Sequence, residues 1–403
     1  MSDLLGEIVA TSFAIIPKKG LFAGRGSKLA LDHFGEKGPA DSAAGNPRAT
    51  QGPASARQLS LGHDSEGSPL RSSSLLLSVS IPIVIHSTAM RIVSLLPSAT
   101  EILFALGFDR EIVGVSHECD FPPNARTRTV VIHSRMPHDA TPAEIDALVR
   151  EYVHRGESLY AVDAAVLEEL APDLIVTQDL CHVCAASPDD LATALMRFDR
   201  RPEVLCLNPQ DLGDVWRDIL WVGEETARGP QAEALLKKIG TRLGKLEKQL
   251  DPAAERPRVA FLEWLQPFYV GGHWVPEMIH RAGGEDVFGS ARTPSFRISV
   301  EDVIDAAPEM LLIAPCGYGA QQARDEYVSM SFPEEWKAIP AVRNGRVYAL
   351  EANSYFSRPG PRLITGIEAL AKLLHPVIEV SREAESAILP ITSDPRAARA
   401  ASV

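Results

Sequence analysis

From Met90 onward, short apolar runs alternate with stretches whose apolar residues recur at helical spacing, whereas residues 1–89 show no sustained period of either kind. The runs read as buried strands: Arg91–Leu96, Ile112–Val115, Thr129–Ile132, Asp173–Thr177 and Glu203–Leu207, then a second series at Arg258–Glu263, Glu309–Ala314 and Arg346–Leu350. Helix-start signals stand between them. Ser98-Ala-Thr-Glu101 has the spacing of a capping box, Pro142 follows Thr141 at a first helical position, and Ser187-Pro188-Asp189-Asp190 places two acids at the positive end of a helix. Strands alternating with helices predict an α/β protein built on mostly parallel sheets.

Between the two series, Leu235, Leu236, Ile239, Leu243, Leu246 and Leu250 mark a helix bounded by Gly229-Pro230 and Asp251-Pro252. About 20 residues span roughly 30 Å, enough to connect two domains. The halves also echo each other. Leu167 to Cys181 and Val303 to Cys316 each read as helix, Ala-Pro-acid, buried strand and a cysteine just beyond. The expected organisation is an N-terminal extension at 1–89, a lobe at 90–209, connector helices at 210–255, a second lobe at 256–378 and a disordered tail at 379–403. For the extension, the preferred reading is an upstream stretch added by a misplaced start, with Met90 as the first residue. A disordered extension ranks second. A secretory signal ranks third, with Leu75–Ile85 as its apolar region and Ser87-Thr88-Ala89 as its cleavage site, because signals lie within about 30 residues of the N-terminus.

Composition removes whole classes of partner. The extension is nearly neutral, so almost all of the net charge of −13 lies beyond Met90, and no basic cluster offsets it. Nucleic acid is therefore not expected as a partner. No apolar run reaches the roughly 18–20 residues of a membrane span. Five cysteines with one close pair do not form the framework of a small disulfide-rich domain.

Ligands of open α/β sheets bind beyond the carboxyl ends of the strands, and the unusual residues collect there. In the first half they are His117, Glu118, Cys119 and Asp120, then Gln178, Cys181, His182 and Cys184. In the second they are Phe268, His273, Trp274 and Glu277, then Cys316 and Tyr318, and finally Tyr355, Phe356, Arg358 and Arg362. Cys119, Cys181, Cys184 and Cys316, with histidines nearby, suit a soft transition metal, although no second C-x-x-C completes a zinc motif. Cys206, in mid-strand, reads as core. The aromatics sit in Gly/Pro-rich surroundings and read either as pocket walls or as core. The arginines read either as ligand contacts or as partners of carboxylates. No nucleophile elbow, phosphate loop or His-Glu-x-x-His motif accompanies them, so no catalysis is expected.

Ile92-Val-Ser-Leu-Leu-Pro-Ser-Ala-Thr-Glu101, Val113-Gly-Val-Ser116 with Asp120-Phe-Pro-Pro123, Ala171-Pro-Asp-Leu-Ile175, Gly283-Gly284, Gly345-Arg-Val-Tyr348 and Arg358-Pro-Gly-Pro-Arg362 resemble the class III, TroA-like solute-binding proteins of vitamin B12 and iron-chelate ABC importers. Ser-His-Glu-Cys-Asp, Cys-His-Val-Cys and Gly-His-Trp-Val-Pro-Glu resemble the subgroup named cobalamin-binding proteins. The resemblance covers Met90 to about Pro376. It implies two Rossmann-like lobes joined by one long helix, and a cobalamin, another corrinoid or a different metal chelate held in the cleft between them. It implies that Phe268, Tyr355 and Phe356 pack on the corrin, while Glu118 and Gln178 stand where vitamin B12 binders carry aromatics. It implies an ABC permease as partner, met by Glu301 and, with Ala165 at the matching first-lobe position, by Asp163 nearby. A monomer is expected, periplasmic by resemblance but cytoplasmic if Met90 is the start. Two other readings stay open: a metal-dependent enzyme or metal chaperone using the cysteine cluster, and a cytoplasmic ligand-sensing regulator.

Overall fold

The computed structural model describes residues 90–137, 142–155, 157–178 and 188–391. The N-terminal extension, Cys181, His182 and Cys184 lie outside the described residues. Lobe 1 carries β1 (Ile92–Ser94), β2 (Ile112–Ser116), β3 (Thr129–Ser134), β4 (Tyr160–Val162), β5 (Leu174–Gln178) and β6 (Glu203–Leu207). They form one sheet in the order β4-β3-β2-β1-β5-β6, parallel except for β4. Its helices are α1 (Pro97–Ala105), α2 (Pro142–Arg155), α3 (Ala164–Leu170) and α4 (Pro188–Leu195). Two helices follow, α5 (Leu212–Glu225) and α6 (Gly229–Glu247).

Lobe 2 carries β7 (Arg258–Leu265), β8 (Phe268–Val270), β9 (Glu285–Asp286), β10 (Met310–Ile313), β11 (Val347–Leu350) and β12 (Ile388–Pro390). Their order is β12-β11-β10-β7-β8, with β9 pairing the start of β7. β8 and β12 run antiparallel at the two edges. The principal helices here are α7 (Val275–Arg281), α8 (Val300–Ala306), α9 (Ala320–Ser329), α10 (Leu363–Leu374) and α11 (Arg382–Ser386). The chain beyond 378 was expected to be disordered. Instead α11 packs on the lobe and β12 pairs with β11 through Ile388, Leu389 and Pro390.

The central strands are uninterrupted apolar runs because both faces of each sheet are covered. Successive residues sort to opposite faces with period two. In β7, Val259 and Phe261 enter one core cluster while Ala260 and Leu262 enter another. In β5, Leu174 and Val176 face the first cluster and Ile175 faces a third. That first cluster runs from Ile92 and Leu96 in lobe 1, through Trp216 and Ile239 of α5 and α6, to Phe261 and Leu370 in lobe 2. The helix read from the leucine spacing is α6, but it does not stand alone. α5 lies directly against it, with no room for a side chain at the crossing: a Cβ on Gly223 would come within 2.6 Å of Ala232 Cβ.

Candidate functional site: an inter-lobe cleft

β2 of lobe 1 ends at Ser116, and the next residues turn across the carboxyl edge of the sheet. On the opposite side, β11 of lobe 2 is followed by a one-turn helix and by the loop Ser357–Arg362. A cleft of about 420 Å3 opens between these segments, lined by His117, Glu118, Asp120 and Arg126 on one side and by Asn353 and Arg358 on the other. Its volume lies in the ordinary range of small-molecule sites, roughly 300–1,000 Å3.

His117 is held by its Nδ1, 3.0 Å from the carbonyl of Ile132 on β3. A backbone carbonyl can only accept, so Nδ1 is the donor in this contact. Glu118 is about half exposed and accepts a hydrogen bond from Tyr160 Oη at 3.4 Å. Asp120 accepts from Arg358 Nη1 at 2.5 Å and lies 3.6 Å from Arg126. Burial alone would raise the Asp120 pKa, but the hydrogen bond and charge of Arg358, with Arg126 and Arg362 behind, outweigh it and hold the carboxyl below its usual range.

Arg358 also donates from Nη2 to the carbonyl of Glu118 at 3.2 Å and approaches Glu101 Oε1 at 3.4 Å. Arg362 grips the same carboxylate with both nitrogens, Nε to Oε2 at 2.8 Å and Nη2 to Oε1 at 2.5 Å. Its guanidinium lies 4.0 Å from the Phe121 ring centroid and 5.6 Å from that of Tyr355. Glu101 was expected to complete a capping box with Ser98. Instead the N-cap of α1 is Leu96, without a side-chain cap, and the carboxylate turns toward the two arginines of the other lobe. Glu101, Phe121, Arg126 and Asn353 are cleft or inter-lobe residues missing from the sequence-based set.

Several other candidates belong to the core and not to the cleft. Phe268 packs among Phe332 and Trp336 on the far face of the lobe 2 sheet. Phe356 is buried against Phe261, and Trp274 donates its indole N–H to Phe356 O at 2.8 Å. Gly271 and Gly272 flank this group for packing: a Cβ on Gly272 would fall 2.2 Å from Ser295 N. Glu277 caps α5, accepting from Leu212 N at 3.1 Å, and also meets Arg281. His273 sits at φ +53° beside Trp274, its pKa lowered by burial. Tyr318 packs edge-on to Trp264, its phenol pushed up to about 12 by burial and then by Glu326. Tyr355 donates to Glu383 at 3.0 Å and is likewise pushed up to about 12, by burial first. Gln178 is buried at the end of β5.

The cysteine set is divided. Cys119 is buried, its Sγ 3.0 Å from Thr100 Oγ1, and burial pushes the thiol up to about 11. Cys316 is exposed just past β10, Cys206 lies within β6 as expected, and Cys181 and Cys184 lie outside the described residues. Among the described residues, no three His, Cys, Asp or Glu side chains gather as a metal site. Of the two docking candidates, Glu301 is exposed in the first turn of α8, while Asp163 caps α3 by accepting from Val166 N at 3.0 Å. No helix among the described residues is long and apolar enough to cross a membrane.

Residues 92–353 match the model of a family described as periplasmic binding protein. The chain belongs to that family. A vitamin B12-binding protein of Vibrio parahaemolyticus is 24% identical over 286 residues, 69% of this chain and 86% of the relative. An uncharacterised ABC transporter substrate-binding lipoprotein of Bacillus subtilis is 25% identical, covering 73% of this chain and 82% of its own. Among solved structures, a periplasmic heme binding protein from Pseudomonas aeruginosa matches with a TM-score of 0.58 at 19% identity, covering 75% of this chain and 98% of that one. The periplasmic vitamin B12 binding protein of Vibrio cholerae matches with a TM-score of 0.53 at 23% identity, covering 71% and 96%. At such identities the shared feature is the fold. In this periplasmic binding protein, charged and imidazole side chains line the cleft, and Phe268 and Phe356 lie in the core.

Proposed function

We propose that this periplasmic binding protein is a non-catalytic carrier that takes cobalamin, a related corrinoid or another metal chelate into the inter-lobe cleft and delivers it to an ABC permease. The observation that carries this reading is the cleft itself, formed at the carboxyl edges of both sheets and lined by His117, Glu118, Asp120 and Arg358. The relatives' names supply the ligand class: vitamin B12-binding and ABC transporter substrate-binding for the sequence relatives, heme and vitamin B12 binding for the structural neighbours. A cleft with hydrogen-bonding walls suits a ligand whose periphery carries amides or carboxylates.

The test is a titration of the full chain with hydroxocobalamin and, separately, with hemin, followed by heat and by the visible absorption bands. Saturable one-to-one binding of one of them, at micromolar or tighter Kd, supports a carrier and names its ligand. Absence of binding by both removes the tetrapyrrole assignment.

A further inference from the structure

We propose that the inter-lobe cleft continues into a second chamber, where Arg297 and Arg150 bind an anionic substituent, a carboxylate or phosphate, on the periphery of the carried ligand. The proposal rests on the carrier reading above and adds to it the charge that the ligand must bear. A second cavity of about 340 Å3 lies between the lobes, lined by Asp146 and Arg150 of α2 on one side and by Gln266, Pro267 and Arg297 on the other. Both walls lead to it from the first cleft. In lobe 1, the ring of His117 lies 5.8 Å from that of Tyr160 on β4, the strand that follows α2. In lobe 2, Asn353 N donates to Tyr318 O at 3.0 Å, Tyr318 packs 5.8 Å from Trp264, and Gln266 stands just past Trp264 at the β7–β8 turn. β4 and β8 are edge strands, so the chamber sits where the edge of one sheet meets the edge of the other.

The two arginines differ in what they already hold. Arg150 pairs with Asp146 one turn earlier at 2.7 Å, and that carboxylate is 11% exposed against 64% for the arginine. One acid thus neutralises one of the two cations. Arg297 is exposed and forms no ion pair among the described residues. Its backbone is nevertheless fixed alongside β8. It bridges Tyr269 in the antiparallel sense, Phe296 O accepts from Val270 N at 3.1 Å, and Ile298 N donates to Phe268 O at 3.0 Å. The chamber therefore keeps a net positive charge on a held backbone, with the Gln266 amide beside it as a further donor. A guanidinium fork matches the paired oxygens of a carboxylate or phosphate. The first cleft differs near Glu118, a half-exposed carboxylate whose hydrogen bond comes from Tyr160 and not from an arginine. A ligand with hydrogen-bond donors at one end and an anion at the other satisfies both ends, whereas a ligand without the anion leaves Arg297 unused.

Titrations of the full chain with two pairs of probes test this. Hydroxocobalamin carries a phosphodiester arm that aquocobinamide lacks, and hemin carries carboxylates that its dimethyl ester lacks. Arg297→Ala breaks no ion pair among the described residues, so the variant should keep the wild-type fold and melting temperature. It should weaken the anion-bearing member of whichever pair binds about tenfold, and the other member less than about twofold. Arg297→Lys should restore part of the loss, and adding Arg150→Ala to Arg297→Ala should deepen it. Raised salt should weaken the anion-bearing probe in wild type and barely change it in Arg297→Ala. Equal loss for both members of a pair, or loss for neither, overturns the subsite. If no tetrapyrrole binds, the ligand assignment falls by itself and inorganic pyrophosphate decides the subsite by calorimetry. Saturable binding that Arg297→Ala abolishes supports it, while no binding, or binding unchanged in that variant, overturns it.

Discussion

The two lobes begin in the same way and finish differently. In each, an arginine at or just before the start of the first strand has its backbone N–H taken by the acid of an Ala-Pro-acid segment, Arg91 N to Asp173 Oδ2 at 3.0 Å and Arg258 N to Glu309 Oε2 at 2.9 Å. In each, the arginine side chain reaches the end of the helix that leads into that acid, to Leu170 O at 2.8 Å and Ala307 O at 3.4 Å. Both helices end on a left-handed alanine, Ala171 at φ 41° and Ala307 at φ 46°. At the opposite, carboxyl edges the resemblance stops. Lobe 1 supplies a tight turn of His117, Glu118, Cys119 and Asp120; lobe 2 supplies a proline-stiffened loop that reaches across with two arginines. The amino edges carry folding and repeat; the carboxyl edges carry the site and have diverged.

The sharpest way to break this comparison is Glu101→Ala. It should cost about 3–5 kcal/mol in denaturant unfolding, because two arginines lose a buried partner. Nothing at the corresponding edge of lobe 2 should approach that cost.

Next comes the connector. Asp218 on α5 is pushed up to about 7 by burial, with Arg217 opposing, and its Oδ2 lacks a partner. Its folded pKa lies above the unfolded value, so its contribution is intact below about pH 4 and is lost as pH rises through about 7. Asp218→Asn should therefore raise the Tm at pH 8 and leave it nearly unchanged at pH 4. A uniform shift across that range would mean that burial does not set the titration. Asp120 has the opposite sign. Its carboxyl is held low, so its inter-lobe contact is present above the ordinary carboxylate range and fades as pH falls through the lowered value. Acid unfolding followed in wild type and Asp120→Asn should show a shallower loss in the variant.

The repeated amino edges give smaller effects that should match. Asp173→Asn and Glu309→Gln each weaken one charge-assisted hydrogen bond and should cost about 1 kcal/mol. A large inequality between them would show that the two edges are not equivalent supports. Smallest of all, Ala171→Gly and Ala307→Gly relieve left-handed alanines and should stabilise by up to about 1 kcal/mol in thermal melts.

What the sequence made legible follows the same division. Glu203–Leu207 was read to the residue as β6, and the other central strands within a few positions, because burial on both faces leaves continuous apolar runs. β4, β8, β9 and β12 were missed: each has two or three residues, too short for any period to register. Arg358, Asp120 and His117 were found at the cleft, since chemistry placed at strand ends is readable from strand positions. Phe268, Phe356 and Trp274 read from sequence as pocket walls or core, and for Phe268 and Phe356 the resemblance favours the pocket. The glycines between Phe268 and Trp274 serve close packing at Gly271 and Gly272, a signal identical in sequence to that of a binding loop. Glu101 eludes the sequence because an acid three residues after a serine reads as a capping box, whereas the helix starts earlier, with Leu96 as its N-cap, and frees the carboxylate for the neighbouring lobe.

The cluster that threads both lobes through α5 and α6 makes them one cooperative unit. Heat or denaturant should meet a single transition, with no stage at which one half survives the other. A lobe expressed alone would turn its share of Trp216, Ile239 and Phe261 contacts toward water and collect into aggregates. Each half is therefore expected to depend on the other for its fold.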